Sequence, residues 1–168
     1  MDILKIATEW AKSEVFSARF FIFFAILFLI ASIGFWQLGK TEMAKAYVIP
    51  TLVAGILLMA VGTGIFFANK SRVSSFVEEY KSSPTEFVKK EIVRTDKSIG
   101  EYKTIVFKVI PFIIVVLALL IVFIDNPKWR ATAISILAMM VVILLVDSNA
   151  KDRIEEYRNH LELMDKGK

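Results

Sequence analysis

Two adjacent carboxylate pairs, Glu78-Glu79 and Glu155-Glu156, and one histidine, His160, are the side chains best suited to moving a proton. Paired carboxylates can divide acid and base work, and imidazole titrates near neutrality. Each pair, however, is followed by a tyrosine and a basic residue within a charged stretch. That is the pattern of a solvated, ion-paired helix face. His160 has no second histidine and no cysteine to join it, so no metal-ligand spacing or thiol nucleophile can be assembled. Asp125 and Asp147 border apolar runs, and an ionisable group deep in such a run would mark an ion path or proton relay. Both stand at the ends of their runs. Asp125 leads into Asn126-Pro127, a turn signal, and Asp147 lies near Lys151. Gly62-Thr63-Gly64 is embedded in an apolar run and fails as a phosphate loop, and no Walker loop or nucleophile elbow is present. Ser32, Thr51, Thr63, Thr132 and Ser135 are expected to bond back to their own helices. The expectation is a protein that is not an enzyme, with no catalytic residue, cofactor, metal or nucleic-acid partner, and the residues identify no small-molecule substrate.

The elements behind these residues are dominated by apolar runs. Apolar residues make up 56% of 168, and they are gathered between blocks of charge. The runs predict four transmembrane helices at residues 20–38, 46–69, 109–124 and 130–147. A helix of about 20 residues crosses a hydrocarbon layer about 30 Å thick. The third and fourth are slightly short, and Lys108 and Arg130 can lengthen them by lying along the apolar surface with their charge drawn to the headgroups. Period-two alternation is absent, so a β-barrel is not expected. The first run is long for a signal peptide and no small-x-small cleavage site follows it, so an uncleaved span is expected.

Positive charge assigns the sides. The N-terminal segment, the central segment between the second and third spans, and the C-terminal tail hold 17 of the Lys and Arg residues, and the two short connections hold 4. Both termini and the central segment are therefore expected in the cytoplasm, in an inner (plasma) membrane. The fold class is all-α, a polytopic membrane protein whose four spans form two antiparallel hairpins with amphipathic cytoplasmic extensions, in one membrane domain over 1–168. The two halves also rhyme: "ANKSRVSSFVEEYK" leaves the second span and "SNAKDRIEEYRNHL" the fourth. Duplication and convergence both explain that likeness.

The extensions are an N-terminal helix over 1–19, a helix–turn–helix over 71–108 broken at Ser82-Ser83-Pro84, and a C-terminal helix over 149–168. In the second of these, Ser83, Pro84 and Glu86 form a capping-box signature. Val88, Ile92, Thr95, Ile99, Tyr102, Val106 and Val109 follow at heptad spacing, and Pro111 is placed to kink the helix. Ile154, Tyr157, Leu161 and Met164 form a stripe on the C-terminal helix, as do Val73, Phe76, Val77 and Tyr80 after the second span. Near the N-terminus Ile3, Ile6, Ala7 and Trp10 share a face, with Trp10 suited to a membrane surface. These stripes can bury against one another, against the membrane surface, or against a partner protein or a second copy. The candidate interaction face is Val88, Ile92, Ile99, Tyr102, Ile154, Tyr157 and Leu161. Inside the lipid, Ala60, Gly64 and Ala68, with Gly55 and Gly62 on a neighbouring strip, are the candidate helix-packing residues. The expected function is an interaction or assembly component working through its cytoplasmic helices, with the bilayer and a protein partner or itself as partners. The alternative is an oligomeric channel or small transporter. In size and four-span layout the chain is similar to immunity proteins against pore-forming toxins, a likeness of layout that carries no residues.

Overall fold

The computed structural model describes residues 2–166. It is all-helical: α1 (Ile3–Leu38), α2 (Glu42–Ala46), α3 (Val48–Ser82), α4 (Pro84–Glu101), a π-helical segment (Tyr102–Val109), α5 (Ile110–Phe123) and α6 (Pro127–Lys166). Four helical units are long and apolar enough to cross a membrane: α1, α2 with α3, α4 through α5, and α6. The 36 residues of α1 make a rod of about 54 Å, so it continues well beyond its apolar run.

Local chemistry sets the ends. Asp2 caps α1, accepting from the N–H groups of Leu4 and Lys5 at 3.1 and 3.2 Å. Asn126 caps α6 through Lys128 N–H at 3.0 Å, with Pro127 at the first helical position. Ser83 alone separates α3 from α4. Its hydroxyl accepts from Glu86 N–H at 3.4 Å, but its own N–H donates to Glu79 O at 3.1 Å and closes α3. Only half of the expected capping box forms, because the preceding helix claims the other donor.

The helix that opens at Pro84 runs on into the third apolar run, with a π-helical segment just before Pro111. Pro111 offers no N–H, and in α register its ring would crowd the carbonyl of Phe107. The wider turn carries the ladder to the proline, with Ile110 N–H reaching Ile105 O, five residues back. The slip shows in the packing. Val106 is buried, but Val109, next in the heptad, is 44% exposed, and Ile110 is buried in its place.

Two cores share the long helices. Along the apolar runs, Phe21 and Ala25 of α1, Ala54 and Leu58 of α3, and Met139, Val142 and Val146 of α6 pack together. At the charged end, termed the head, Ile3, Ala7, Trp10 and Ala11 meet Phe76, Phe87, Val88, Ile99, Ile154, Tyr157 and Leu161. α6 runs through both with one stripe: Ala131, Ser135, Met139, Val142, Val146, Ala150, Ile154, Tyr157 and Leu161 are buried, three or four residues apart. Beyond the π-helical segment that leads into it, α5 packs only against α6 among the described residues and leaves most of its surface open.

Candidate functional site

Where the two cores meet, charged residues sit on otherwise apolar stripes. The buried stripe of α1 reads Ile3, Ala7, Trp10, Glu14, Ala18, Phe21, and Glu14 is 7% exposed. On α4, Glu91 interrupts the stripe at 2% exposure. A buried carboxylate is costly unless paired. Glu91 receives Arg94 on both oxygens, Nε to Oε1 at 2.8 Å and Nη2 to Oε2 at 2.6 Å. The Tyr157 hydroxyl adds a bond to Oε2 at 2.9 Å. Burial, and then the Glu91 charge, push the Tyr157 pKa up, so it remains a neutral donor. The Arg94 guanidinium also lies 4.4 Å from the ring centre of Trp10, and that ring stacks on Tyr157 at 5.1 Å.

Glu14 is held differently. Arg153 donates Nε and Nη2 to its Oε1 at 3.1 and 3.0 Å, and Nη2 also reaches Ser17 Oγ at 2.8 Å. Burial outweighs the attraction of Arg153, so the Glu14 carboxyl stays above its ordinary range despite the pairing.

A cavity of about 160 Å³ opens beside these pairs. Arg72 and Arg94 line it from α3 and α4, Glu14 and Asp147 from α1 and α6, and Phe21, Ile65 and Val146 from the side of the apolar runs. Arg72 Nη1 donates to Asn69 Oδ1 at 2.7 Å, and Asn69 Nδ2 donates to Ile65 O at 3.0 Å. Among the described residues Arg72 has no carboxylate within ion-pair distance. Burial, then the charge of Arg94, push its pKa down. Asp147 also has no ion-pair or hydrogen-bond partner among the described residues. Its expected neighbour Lys151 pairs with Glu155 at 3.5 Å and lies over Phe107.

No protein-family model, curated protein or solved structure matches this chain. The site is therefore read from its own geometry.

The residues singled out in the sequence are redistributed. Val88, Ile99, Ile154, Tyr157 and Leu161 are buried in the head core, with Ile92 and Tyr102 packed against it. They face one another rather than a partner, because four charged helix ends converge and each stripe is covered by the next. Trp10, expected at a membrane surface, is 8% exposed within that core. Gly55 and Gly62 lie where α3 and α1 approach closely: a Cβ on Gly62 would stand 2.8 Å from Phe21 Cβ, and one on Gly55 2.9 Å from Leu29. Ala60, Gly64 and Ala68 are exposed, and a Cβ on Gly64 meets nothing within 4 Å. The intramolecular seam therefore uses the Gly55–Gly62 strip. At about 100° per residue, Ala60 lies about 140° around the helix from Gly55. Of the carboxylate pairs, Glu79 bonds Lys90 at 2.7 Å, and Glu156 lies 4.0 Å from His160. Glu14, Arg72, Glu91, Arg94 and Arg153 were not singled out. The available signal was a charge at apolar-stripe spacing, as in Trp10–Glu14–Ala18.

Proposed function

We propose that the chain is a non-enzymatic integral membrane protein that serves as an interaction or assembly component through the outer surface of its head. In this reading the four spans form two antiparallel hairpins in an inner membrane, and both termini and the head are cytoplasmic. The excess of basic residues on the head side supports that orientation. The observation that carries the reading is the second core, with Tyr157, Phe87, Ile3 and Leu161 almost wholly buried outside the apolar runs. A core of that kind makes the head a rigid body joined to the bilayer by continuous helices. A contact on it is thus held at a fixed height and orientation. Val93 on α4 and Leu163 on α6 are large apolar residues left 71% and 64% exposed on the head, and they are the first places to look for that contact. An immunity-like role, in which the head or the spans engage a toxin, is one form of this function.

The test has two arms. The reconstituted protein should add no ion or small-solute flux to liposomes. Affinity capture from solubilised membranes should return a protein or a second copy that is lost when Val93 and Leu163 are both changed to Asp. Flux above that of empty liposomes, with capture unaffected by the double change, would replace this reading with the channel or transporter.

A further inference from the structure

The cavity between the two cores has two walls of opposite charge. On the α3–α4 side Arg94 is paired with Glu91, and Arg72 has no carboxylate within ion-pair distance among the described residues. Nε and Nη2 of Arg72 and Nη1 of Arg94 carry donors that no described residue takes. On the α1–α6 side Arg153 engages only Oε1 of Glu14, leaving Oε2 unbonded, and Asp147 has no partner among the described residues. A half-buried guanidinium beside a second one is costly without an anion, and a carboxylate facing the same space is costly without a cation. A simple anion would answer Arg72 and be repelled by Asp147. A simple cation would do the reverse. A ligand carrying both charges answers both walls.

We propose that this cavity binds an amine-bearing phosphate, the phosphoethanolamine group, with its phosphate at Arg72 and Arg94 and its ammonium at Asp147 and Glu14. Guanidinium forks match phosphate oxygens, and an ammonium can donate to two carboxylates at once. Ser98, one turn from Arg94, also lines the space and adds a hydroxyl donor, and Tyr102 lines it near Asp147 and Glu14. The volume of about 160 Å³ holds roughly five waters at ~30 Å³ each, which suits a headgroup rather than a larger ligand. The site lies at the boundary between the apolar runs and the head, the depth at which phospholipid headgroups are found. A second cavity of about 490 Å³ shares Ser17 and Val146 with it and runs past Phe20, Phe24 and Leu145 between α1 and α6. That groove offers acyl chains a path, so a phospholipid can supply the group, as can the free compound.

The experiment is thermal unfolding of the full-length protein in neutral detergent, titrated with short-chain phosphatidylethanolamine, short-chain phosphatidylglycerol and free phosphoethanolamine. The expected result is half-saturation by phosphatidylethanolamine at a concentration about tenfold below that of phosphatidylglycerol, the worth of one added charge-assisted bond. Arg72→Gln should weaken both lipids. Asp147→Asn, which keeps the side-chain shape, should leave phosphatidylglycerol unchanged and bring phosphatidylethanolamine to its level. If Arg72→Gln loses helical content, Asp147→Asn alone carries the test. Stabilisation by free phosphoethanolamine equal to that by the lipid identifies a soluble source, and stabilisation by the lipid alone identifies the bilayer. Equal half-saturation by the two lipids in the unsubstituted protein, or selectivity that survives Asp147→Asn, overturns the proposal.

Discussion

The head and the apolar runs belong to the same helices but are held together by different means. The head buries large side chains: Phe87 and Tyr157 at 2% exposure, Ile3 and Leu161 at 0%. Aromatic rings meet there edge-on, as Phe76 and Phe87 do at 5.3 Å, and stacked, as Trp10 and Tyr157 do at 5.1 Å, and an ion pair with a tyrosine is locked inside. The apolar runs also bury Phe21 and Leu58, at 2% and 1% exposure, but set them against alanines and glycines. α1 packs closely on α3 at Gly55 and Gly62, where the missing Cβ leaves room for Leu29 and Phe21, Ser32 Oγ reaches across to Val48 O at 2.8 Å, and α5 leaves Phe112, Val122 and Phe123 more than two-thirds exposed. In water, apolar burial drives association. Between helices in lipid that force is absent, and close approach and hydrogen bonds replace it. Four helices long and apolar enough to cross a membrane would meet that change of solvent along their length, and the glycine seam lies within the apolar runs.

The largest expected effect breaks the head. Tyr157→Ala removes the ring stacked on Trp10 and the donor to Glu91, and should cost about 3–5 kcal/mol. Amide exchange across residues 85–99 should accelerate sharply while membrane insertion is retained. Undiminished protection there would mean that the head is not one cooperative core.

A smaller effect tests the glycine seam. Gly62→Leu puts a side chain where Phe21 already stands and should cost about 1–3 kcal/mol, whereas Gly64→Leu should stay within ~0.5 kcal/mol. Thermal unfolding of the two variants in detergent compares the faces directly. Equal losses would place both faces in the packing. A change in oligomeric state with Gly64→Leu alone would assign the outer strip to self-association.

The smallest effect lies at the junction. Glu14 has a folded-state pKa above its ordinary 4.5 because burial disfavours its charge. A raised carboxyl contributes stability that is full below the ordinary value and is lost as pH rises through the folded one. Thermal stability should therefore decline as pH climbs from 4.5, and Glu14→Gln should flatten that part of the profile. A variant with the same slope as the parent would mean that Arg153 neutralises the carboxylate fully.

Much of the all-helical architecture was legible in the sequence. Runs of about 20 uncharged residues leave the backbone no partner in lipid except itself, so helices are required there. Ser83 sits where a cap is needed and Asn126-Pro127 where a turn is, and the heptad from Val88 to Ile99 states that α4 buries one face. Tertiary structure decided what each face meets. Tyr80 and Tyr157 end the same Glu-Glu-Tyr pattern, yet Tyr80 is partly buried and edge-on to Phe87 at 5.6 Å, whereas Tyr157 is enclosed between Trp10 and Glu91. The choice between the Gly55–Gly62 strip and the Ala60–Gly64–Ala68 strip, and the meeting of Glu14 with Arg153 across 139 residues, were likewise decided only by packing. Periodicity fixes which residues share a face of one helix. It carries no information about the rotation of that helix against its neighbours, and that rotation determines which charges meet in the cavity.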